Sequence, residues 1–526
     1  MSKSAVSETT ELQQPIRKLS PWRVILGISI VIFLGVFSFF STRTWIDARS
    51  ISSDEPWFAP YVDVTAVPQY NFENTKISEN KDVVLSFIVA KDDEACTPSW
   101  GSVYDLDEAE SRLDLDRRIA RLRQRGGDIA ISFGGLLNDE LAVSCKSEAE
   151  LTRAYTSVIE KYKVNVVDFD LENTGLKDIE AGQRRAKVIA KIQKSRRTQN
   201  KKLSVWVTLP VAPFGMTEDG TNAIKILLEN DVDIAGVNLM TMDYGQSLEK
   251  GLSMFEGSKS ALTEAHRQLG ILYENSGIYL NSGTLWSKIG ATPMVGQNDV
   301  KQEVFNFDDA TKLNDFARSN KISRMSMWSA NRDRSCGDNY VNLKVVSDSC
   351  SGIDQGDKHF ASILEEGFEG ELSIIDDKKT VQDKIPDEKP DDPKTSPYQI
   401  WDENGTYLEG TKVVWRHNVY EAKWWTQDDI PDDPVLNSWE TPWKLIGPVL
   451  PGEKPIKQTT LPTGTYSEWS GDKAYEAAQR VLFKGIPYQA KWWNKGESPA
   501  AASSNPDASP WVPLTQKQID SLNLDQ

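Results

Sequence analysis

The chain has 526 residues, enough for roughly two to four domains, and carries 60 lysine and arginine residues against 77 aspartate and glutamate residues, a formal charge of −17. This acidic balance argues against a nucleic-acid partner, because phosphate binding needs a basic face. The three histidines, His266, His359 and His417, are too scattered for a histidine metal site or a catalytic triad, so we expect neither.

An uncharged apolar run near the N-terminus indicates the compartment. It extends from Val24 to Phe40, follows four basic residues and is just long enough, with the next two residues, to span a bilayer. The positive flank predicts a cytoplasmic N-terminus. A cleaved signal peptide is the alternative, but the run is long for one and no A-x-A site follows. We predict a cytoplasmic segment over 1–21, a transmembrane signal-anchor over 22–42 and a short linker over 43–54.

This topology places the rest of the chain outside the cytoplasm, in the periplasm or the extracellular space. Cleavage of the N-terminal segment would instead release a secreted protein. The membrane is therefore one expected partner, reached through the single N-terminal helix.

Apolar, β-branched runs recur at broadly regular intervals between residues 55 and 350, with helical patterns between most of them. The strand candidates are 58–66, 83–90, 128–135, 165–172, 203–210, 233–242, 292–296 and 323–329. Eight strands alternating with helices over about 300 residues predict an α/β domain with the (β/α)8 TIM-barrel architecture, which we place over 55–368. A doubly wound open sheet is the alternative, but the sequence has no G-x-G-x-x-G or Walker loop.

The fourth predicted strand, in the stretch VNVVDFDLEN, carries Asp168, Asp170 and Glu172 at alternate positions. Strand geometry puts these three carboxylates on one face, inside the predicted barrel, and the apolar residues between them on the other. A loop follows at Asn173, so Glu172 lies at the carboxyl end of the strand, where such barrels have their active sites. Close carboxylates repel, which should leave at least one protonated and able to donate a proton. A solvated acidic edge or a calcium-binding strand is the alternative.

The four cysteines form no C-x-x-C pair, so a zinc or redox centre is not indicated. Three pairings are possible. Cys336 and Cys350 would close a short loop, which leaves Cys96 and Cys145 as the second bridge. We favour this pairing in an oxidising compartment.

The composition changes after Cys350. Residues 369–396 are charged and proline-rich and predict an extended linker. The following residues hold 10 of the 17 tryptophans and two similar segments, VYEAKWWTQDDIP and PYQAKWWNKGESP. We predict two small all-β modules, module 1 over 397–447 and module 2 over 465–516, joined by a linker over 448–464.

Each module contains an adjacent tryptophan pair, Trp424–Trp425 in module 1 and Trp492–Trp493 in module 2. Adjacent residues of an extended strand face opposite ways, so we expect one of each pair in the core and the other exposed. An exposed indole can stack on a pyranose ring. The alternative is that these tryptophans only build cores, although a module of ~50 residues has little interior.

The acidic strand resembles the D-x-x-D-x-D-x-E signature of glycoside hydrolase family 18, the chitinases. Asp168, Asp170 and Glu172 match its last three acids, and Asn165 stands where the family's first Asp usually lies. The segment Ser132–Gly135 resembles the family's S-x-G-G motif on the third strand.

Two further segments resemble the same family. Met242 and Tyr244 match its M-x-Y element, with Gly245 where an Asp often follows and Asp243 as the candidate substitute. Trp328, on the last predicted strand, matches the tryptophan that forms the floor of the sugar site.

The two modules resemble carbohydrate-binding module families 5 and 12, which bind chitin. The shared pattern is a tyrosine, then A-K-W-W, then a later Pro-Trp, whose tryptophans are here Trp443 and Trp511. The resemblance implies that Trp424, Trp425, Trp492 and Trp493 bind chitin.

The family resemblance implies retaining, substrate-assisted hydrolysis of β-1,4-linked N-acetylglucosamine. Glu172 would protonate the glycosidic oxygen, Asp170 would orient the acetamide that attacks the anomeric carbon, and Asp168 would modulate the proton of Asp170. Tyr244 would hydrogen-bond the acetamido oxygen. The implied substrate-binding residues are Ser132, Gly134, Gly135, Met242, Asp243 and Trp328.

The resemblance further implies that no metal or organic cofactor is needed and that the partner is chitin or chito-oligosaccharides. We expect a monomer. Two alternatives remain open: a catalytically weak or inactive chitin-binding adhesin or lectin, and an endo-β-N-acetylglucosaminidase acting on glycans.

Overall fold

The computed structural model describes residues 55–74, 81–337, 346–372, 390–455, 460–499, 509–515 and 518–519. The ranges predicted as N-terminal segment, signal-anchor and short linker (1–21, 22–42 and 43–54) lie outside these described residues. We use the name large domain for the described residues from 55 to 372.

The large domain alternates strands and helices. Its strands are β1 (Trp57–Phe58), β2 (Tyr61–Asp63), β3 (Val83–Lys91), β4 (Glu94–Trp100), β5 (Tyr104–Asp105), β6 (Ile129–Gly134), β7 (Val166–Asp170), β8 (Ser204–Ala212), β9 (Gly215–Met216), β10 (Ile234–Met240), β11 (Ile289–Thr292), β12 (Gly296–Gln297), β13 (Val304–Phe305) and β14 (Arg324–Met325). Its helices are α1 (Leu106–Leu113), α2 (Leu115–Gln124), α3 (Leu141–Ser144), α4 (Glu148–Tyr162), α5 (Asn173–Lys177), α6 (Ile179–Thr198), α7 (Glu218–Glu229), α8 (Met254–Asn275), α9 (Ser282–Ser287), α10 (Phe307–Asn320) and α11 (Phe360–Leu364). Short 3-10 helices lie at Phe72–Asn74, Gly245–Ser247 and Ala330–Arg332.

One large sheet organises these elements. Its strand order is β1-β14-β11-β10-β8-β7-β6-β3-β4-β5, with β2 paired to β3 and β9 paired to β8. The pairs from β1 through β14, β11, β10, β8, β7 and β6 to β3 are parallel. Their carboxyl ends therefore lie at one edge of the sheet, where a site can form from several strands.

The predicted fold class is wrong as stated. The large sheet is mixed, because β4, β5 and β9 add antiparallel pairs to it, so the fold is α/β with a mixed sheet. The sequence pattern indicates no strand over 94–105, since Pro98 and Glu94 interrupt it. The hairpin forms because the chain turns at Asp92 and Asp93, between Lys91 and Glu94, and Asp93 has a φ of +61°.

The transmembrane helix in the predicted fold class also has no support. Across the described ranges, no helix combines the length and the apolar composition needed to cross a membrane. Two strand predictions need smaller corrections. The strand predicted over 292–296 is β11, which ends at Thr292, and the one predicted over 323–329 is reduced to the two residues of β14.

The two faces of the parallel strands build two apolar clusters. Ile131, Val167 and Phe169 belong to the cluster between the sheet and its helices, whereas Val166 and Trp206 belong to a second cluster on the other face. Alternation along β7 therefore places Asp168 and Asp170 on the face of Val166, as predicted.

The bounds and the buried face of a helix follow from its capping residues and from the spacing of its apolar side chains, as α4 shows. In α4, the Ser147 side chain accepts a hydrogen bond from the Glu150 backbone N–H, and Leu151, Tyr155 and Val158 recur on its buried face. The helix ends where Lys163 adopts the left-handed conformation, with φ +54°.

Both predicted disulfides are present. Cys96 in β4 is bonded to Cys145, directly after α3, and Cys336 is bonded to Cys350. The first bridge attaches the unpredicted hairpin to the segment that follows β6.

The two tryptophan-rich modules repeat one arrangement. Module 1 contains β15 (Gln399–Ile400), β16 (Thr406–Tyr407), β17 (Lys412–Trp415), β18 (Asn418–Ala422), β19 (Thr426–Gln427), a 3-10 helix (Ser438–Glu440) and β20 (Trp443–Pro448). Module 2 contains β21 (Ser467–Glu468), β22 (Ala474–Tyr475), β23 (Arg480–Phe483), β24 (Ile486–Ala490), β25 (Asn494–Lys495) and β26 (Trp511–Pro513). Each has a four-stranded and a two-stranded sheet, ordered β15-β17-β18-β20 with β16-β19 and β21-β23-β24-β26 with β22-β25.

The prediction that one tryptophan of each pair is buried is wrong. Trp424 and Trp425 are 43% and 58% exposed, and Trp492 and Trp493 are 46% and 58% exposed. The pairs lie between strands, after β18 and after β24, so strand alternation does not apply to them. The indole that is buried in the core is Trp443 in module 1 and Trp511 in module 2, each from the Pro-Trp segment.

Candidate active site

The predicted acids lie at the carboxyl end of β7. Parallel register pairs Asp168 with Ser132 of β6, and Asp170 with Gly134 of β6 and Thr208 of β8. Glu172 follows in extended backbone, with φ −129° and ψ 163°, so it continues the alternation of the strand. All three carboxyl groups therefore share one face, in a row that leads out of the sheet.

Asp168 is the deepest of the three and is 1% exposed. Its Oδ2 accepts hydrogen bonds from the Tyr61 hydroxyl at 2.8 Å and the Ser132 hydroxyl at 2.7 Å. Its Oδ1 accepts from the Thr208 hydroxyl at 2.7 Å and from Arg324 Nη1 at 2.8 Å. Four donors, one of them a cation, hold this carboxylate in one orientation.

Arg324 is a buried cation at the base of the site. Its guanidinium lies over the rings of Trp57, Tyr61 and Trp206, at 5.2 to 5.5 Å from their centroids. The ion pair with Asp168 has only 1% of either side chain exposed, so solvent screens it little. Arg324 is not among the predicted site residues. The available signal is an arginine inside a predicted buried strand, which requires an acidic partner.

Asp170 has a different environment. Its Oδ1 is buried and has no hydrogen-bond partner among the described residues. Burial raises its pKa well above the usual range, and the charges of Glu172 and Asp168 raise it further, while Arg324 acts in the opposite direction. Asp170 therefore ionises less readily than an exposed aspartate, and its Oδ1 is free to accept a hydrogen bond from a ligand.

Glu172 also has a raised pKa. Burial raises its pKa to about 7, and the charges of Asp243 and Asp299 add to this effect. Asp243 is itself an acid with a raised pKa, about 6, chiefly because of burial. Glu172 beside Asp243 resembles the kind of site in which a desolvated carboxyl group serves as a general acid.

The two glycines of the SFGG segment permit close approach of backbone and rings. A Cβ on Gly134, at φ +101°, would lie 2.1 Å from the backbone oxygen of Asp170. A Cβ on Gly135, at φ +90°, would lie 2.9 Å from the Phe87 ring. The Gly135 N–H also donates to the backbone oxygen of Asp170 at 2.9 Å. Both glycines thus position Asp170 and Phe87.

The segment after β10 contains Met242, Asp243 and Tyr244, whose side chains have different surroundings. The Tyr244 hydroxyl, implied to bind substrate, donates to Ser258 Oγ of α8 at 3.1 Å and is buried. Asp243 accepts a hydrogen bond from the Val300 backbone at 3.2 Å and is close enough to Glu172 to raise its pKa. Met242 is partly buried. Asp243 is thus the residue of this segment whose charge raises the pKa of Glu172.

Trp328 belongs to an aromatic wall beside the acids. Its ring stacks on Phe87, with centroids 5.6 Å apart and an interplanar angle of 23°. Tyr61 lies 6.2 Å from the Trp328 centroid, which joins the wall to the donors around Asp168. Trp328 is a predicted site residue, whereas Phe87 and Tyr61 are not.

The described residues offer no convincing metal centre near these acids. The one cluster of metal-ligand type among them comprises Cys96, Cys145 and Glu150, and its two cysteines are consumed by a disulfide. The side chains around these acids are carboxyl groups, hydroxyls, a guanidinium and aromatic rings.

Comparison with known proteins finds relatives, although no protein-family model matches the chain. The chain is 33% identical over 294 residues to a probable bifunctional chitinase/lysozyme of Escherichia coli K12, covering 54% of this chain and 31% of that protein. It is 29% identical over 340 residues to endochitinase 11 of Metarhizium anisopliae, covering 62% and 60%. The catalytic domain of a hyperthermophilic chitinase from Pyrococcus furiosus is 26% identical, with a TM-score of 0.49, and covers 60% of this chain and 94% of that one. The chain spans less than two thirds of either curated relative.

Proposed function

We propose that the chain is a chitinase, a glycosidase that hydrolyses the β-1,4 linkages between N-acetylglucosamine units. One observation carries the proposal: the carboxyl row of β7 ends in Glu172, whose pKa of about 7 suits a general acid, next to Asp170, whose buried Oδ1 has no hydrogen-bond partner among the described residues. The motif resemblance to glycoside hydrolase family 18 and the two relatives named as chitinases support the same substrate.

Glu172 donates its proton to the glycosidic oxygen, which makes the sugar a better leaving group. The acetamido carbonyl of the substrate attacks the anomeric carbon, and the C–O bond breaks as the oxazolinium ion forms. Water then attacks the anomeric carbon and displaces the acetamido oxygen, which restores the acetamide, while Glu172, now ionised, accepts a proton from the water. The two inversions give net retention of configuration.

Asp170 orients the acetamide. Its buried Oδ1 has no partner among the described residues, so an acetamide N–H can donate to it without displacing another contact. Asp168 remains the fixed member of the row, since its four donors include Arg324. Because Tyr244 is bonded to Ser258, we assign it to packing against α8. Trp328, stacked on Phe87, supports the sugar from below.

We further propose that both modules bind chitin and that the order of domains is a catalytic domain over 55–368, module 1 over 397–447 and module 2 over 465–516. The exposed faces of the tryptophan pairs are suited to stacking on pyranose rings. The two disulfides fit an oxidising compartment outside the cytoplasm.

The stereochemistry and the substrate range of hydrolysis test the reaction. With chito-oligosaccharides, NMR should show the β-anomer as the first product, because the acetamide attacks within the substrate. Cello-oligosaccharides, which have the same linkage but no acetamide, should not be cleaved. An α-anomer formed first, or equal cleavage of the two substrates, would exclude this mechanism. Binding of chitin without any hydrolysis would favour the adhesin alternative.

The tryptophan pairs give a second test. Trp425→Ala and Trp493→Ala should each weaken binding to insoluble chitin about two- to thirteenfold, as loss of a stacking contact worth about 0.5–1.5 kcal/mol predicts. Trp443→Ala should instead unfold module 1, because this indole is buried in its core. Circular dichroism of the aromatic region separates the two results. Unchanged chitin binding in the Trp425→Ala/Trp493→Ala double variant would show that the modules bind something else.

A further inference from the structure

Module 1 contacts the large domain through a bidentate arginine. Arg267, on α8, donates from Nη1 to the backbone oxygen of Val435 at 2.5 Å and from Nη2 to that of Leu436 at 2.8 Å. Its Nε donates to Glu264 Oε2 at 3.1 Å, which fixes the orientation of the guanidinium from within the helix. Two parallel hydrogen bonds to successive carbonyls specify one position of the module segment on the helix.

Apolar contacts lie beside this arginine. Trp439, in the 3-10 helix of module 1, meets Phe214 of the β8–β9 turn edge to face, with ring centroids 4.9 Å apart. Leu436 packs against the main hydrophobic core of the large domain. Lys423 of module 1 also lies close to Glu264 and Arg267. Hydrogen bonds, an aromatic pair and an aliphatic contact therefore meet at one surface.

The sequence of module 2 provides an internal comparison. The two modules align without gaps at an offset of 68 positions, which matches Tyr407 with Tyr475 and Trp443 with Trp511. Under this alignment the docking residues Val435, Leu436 and Trp439 correspond to serine, serine and aspartate at positions 503, 504 and 507. The core residues are thus repeated, whereas the apolar docking residues occur in module 1 alone. Core stability of the module does not explain them.

We propose that module 1 is docked on the large domain through α8 and the β8–β9 turn and forms one rigid unit with it. Its exposed tryptophan pair is then held at a constant distance from the carboxyl row. Module 2, whose sequence replaces the docking residues, binds independently. The functional consequence rests on the proposed chitinase activity, but the docking itself does not.

Hydrogen–deuterium exchange of the full chain tests the docking. In the Arg267→Ala/Trp439→Ala double variant, amides of residues 435–441 should exchange about tenfold faster than in the unmodified protein. Amides of β17 and β18 should keep their protection, which shows that module 1 remains folded. Lys444→Ala, which removes an exposed cation from β20, is the matched control and should change neither region. Equal exchange of 435–441 in the double variant and the unmodified protein would overturn the docking.

An activity comparison tests the consequence separately. The double variant should hydrolyse soluble chito-oligosaccharides at the original rate and insoluble chitin several-fold more slowly, because its module 1 no longer moves with the active site. An equal loss of activity on both substrates, or no loss of activity on either, would contradict this consequence. If the unmodified protein hydrolysed neither substrate, the proposed function would fail while the exchange result would still decide the docking.

Discussion

Glu172→Gln should abolish hydrolysis of chito-oligosaccharides, lowering kcat about 10²- to 10⁴-fold, while oligosaccharide binding persists. The amide is isosteric with the acid but has no proton to donate, and loss of general acid catalysis typically has this magnitude. In the unmodified enzyme, kcat should fall as pH rises through about 7, because the proton donor is then lost. Measurement of kcat and KM from pH 4 to 9 checks both statements, and a variant with the original kcat would refute the assignment.

Glu172→Gln should lower activity but raise the stability of the folded protein above neutral pH. The pKa of Glu172 is raised in the folded state, so the native protein binds more protons than the unfolded chain between about pH 4.5 and 7. Stability therefore decreases as pH rises through this window. Glu172→Gln removes this penalty, so its Tm should exceed that of the unmodified protein at pH 8 and match it at pH 4. A lower Tm at pH 8 would show that Glu172 makes favourable native contacts as an ion.

The carboxyl row could be predicted from sequence because it depends only on strand alternation. Asp168, Asp170 and Glu172 share a face for the same reason that Val166 and Val167 belong to different clusters. The different protonation of the three acids could not be predicted this way. It depends on partners more than 90 positions away, such as Tyr61 and Arg324, and on how deeply each acid is buried.

The exposure of the tryptophan pairs and the hydrogen bond of Tyr244 both have local causes. The tryptophan pairs of the modules lie in turns after β18 and β24, so alternation gave the wrong exposure for them. Tyr244 follows Asp243, whose φ is +52°, and its hydroxyl is bonded to Ser258 of α8. A motif match fixes the residue type, but one left-handed residue is enough to turn the next side chain to another neighbour.

Arg324→Met should destabilise the large domain by about 3–5 kcal/mol, the usual effect of removing one partner of a buried ion pair. Asp168 would then be a buried carboxylate without its cation, held by three hydroxyl donors alone. Removing the guanidinium also removes the group that opposes the raised pKa of Asp170. Ionised Asp170 would stabilise the positive charge of the oxazolinium ion, so loss of kcat on the acidic side of the pH profile should begin at a higher pH in this variant. Denaturant unfolding and kcat measured across pH together test the two effects.

The chain contains a matched control for this experiment. Arg185 forms another buried ion pair, with Glu140, at 2.9 Å and with 3% and 2% of the side chains exposed. Arg185→Met should destabilise the protein to a similar extent but leave the pH dependence of kcat unchanged in the folded fraction. Combining Arg324→Met with Asp168→Asn should restore much of the lost stability, because no unpaired charge remains, without restoring activity. If Arg324→Met instead kept the original kcat profile and lost only stability, like Arg185→Met, Arg324 would be a structural residue with no influence on the protons of the carboxyl row.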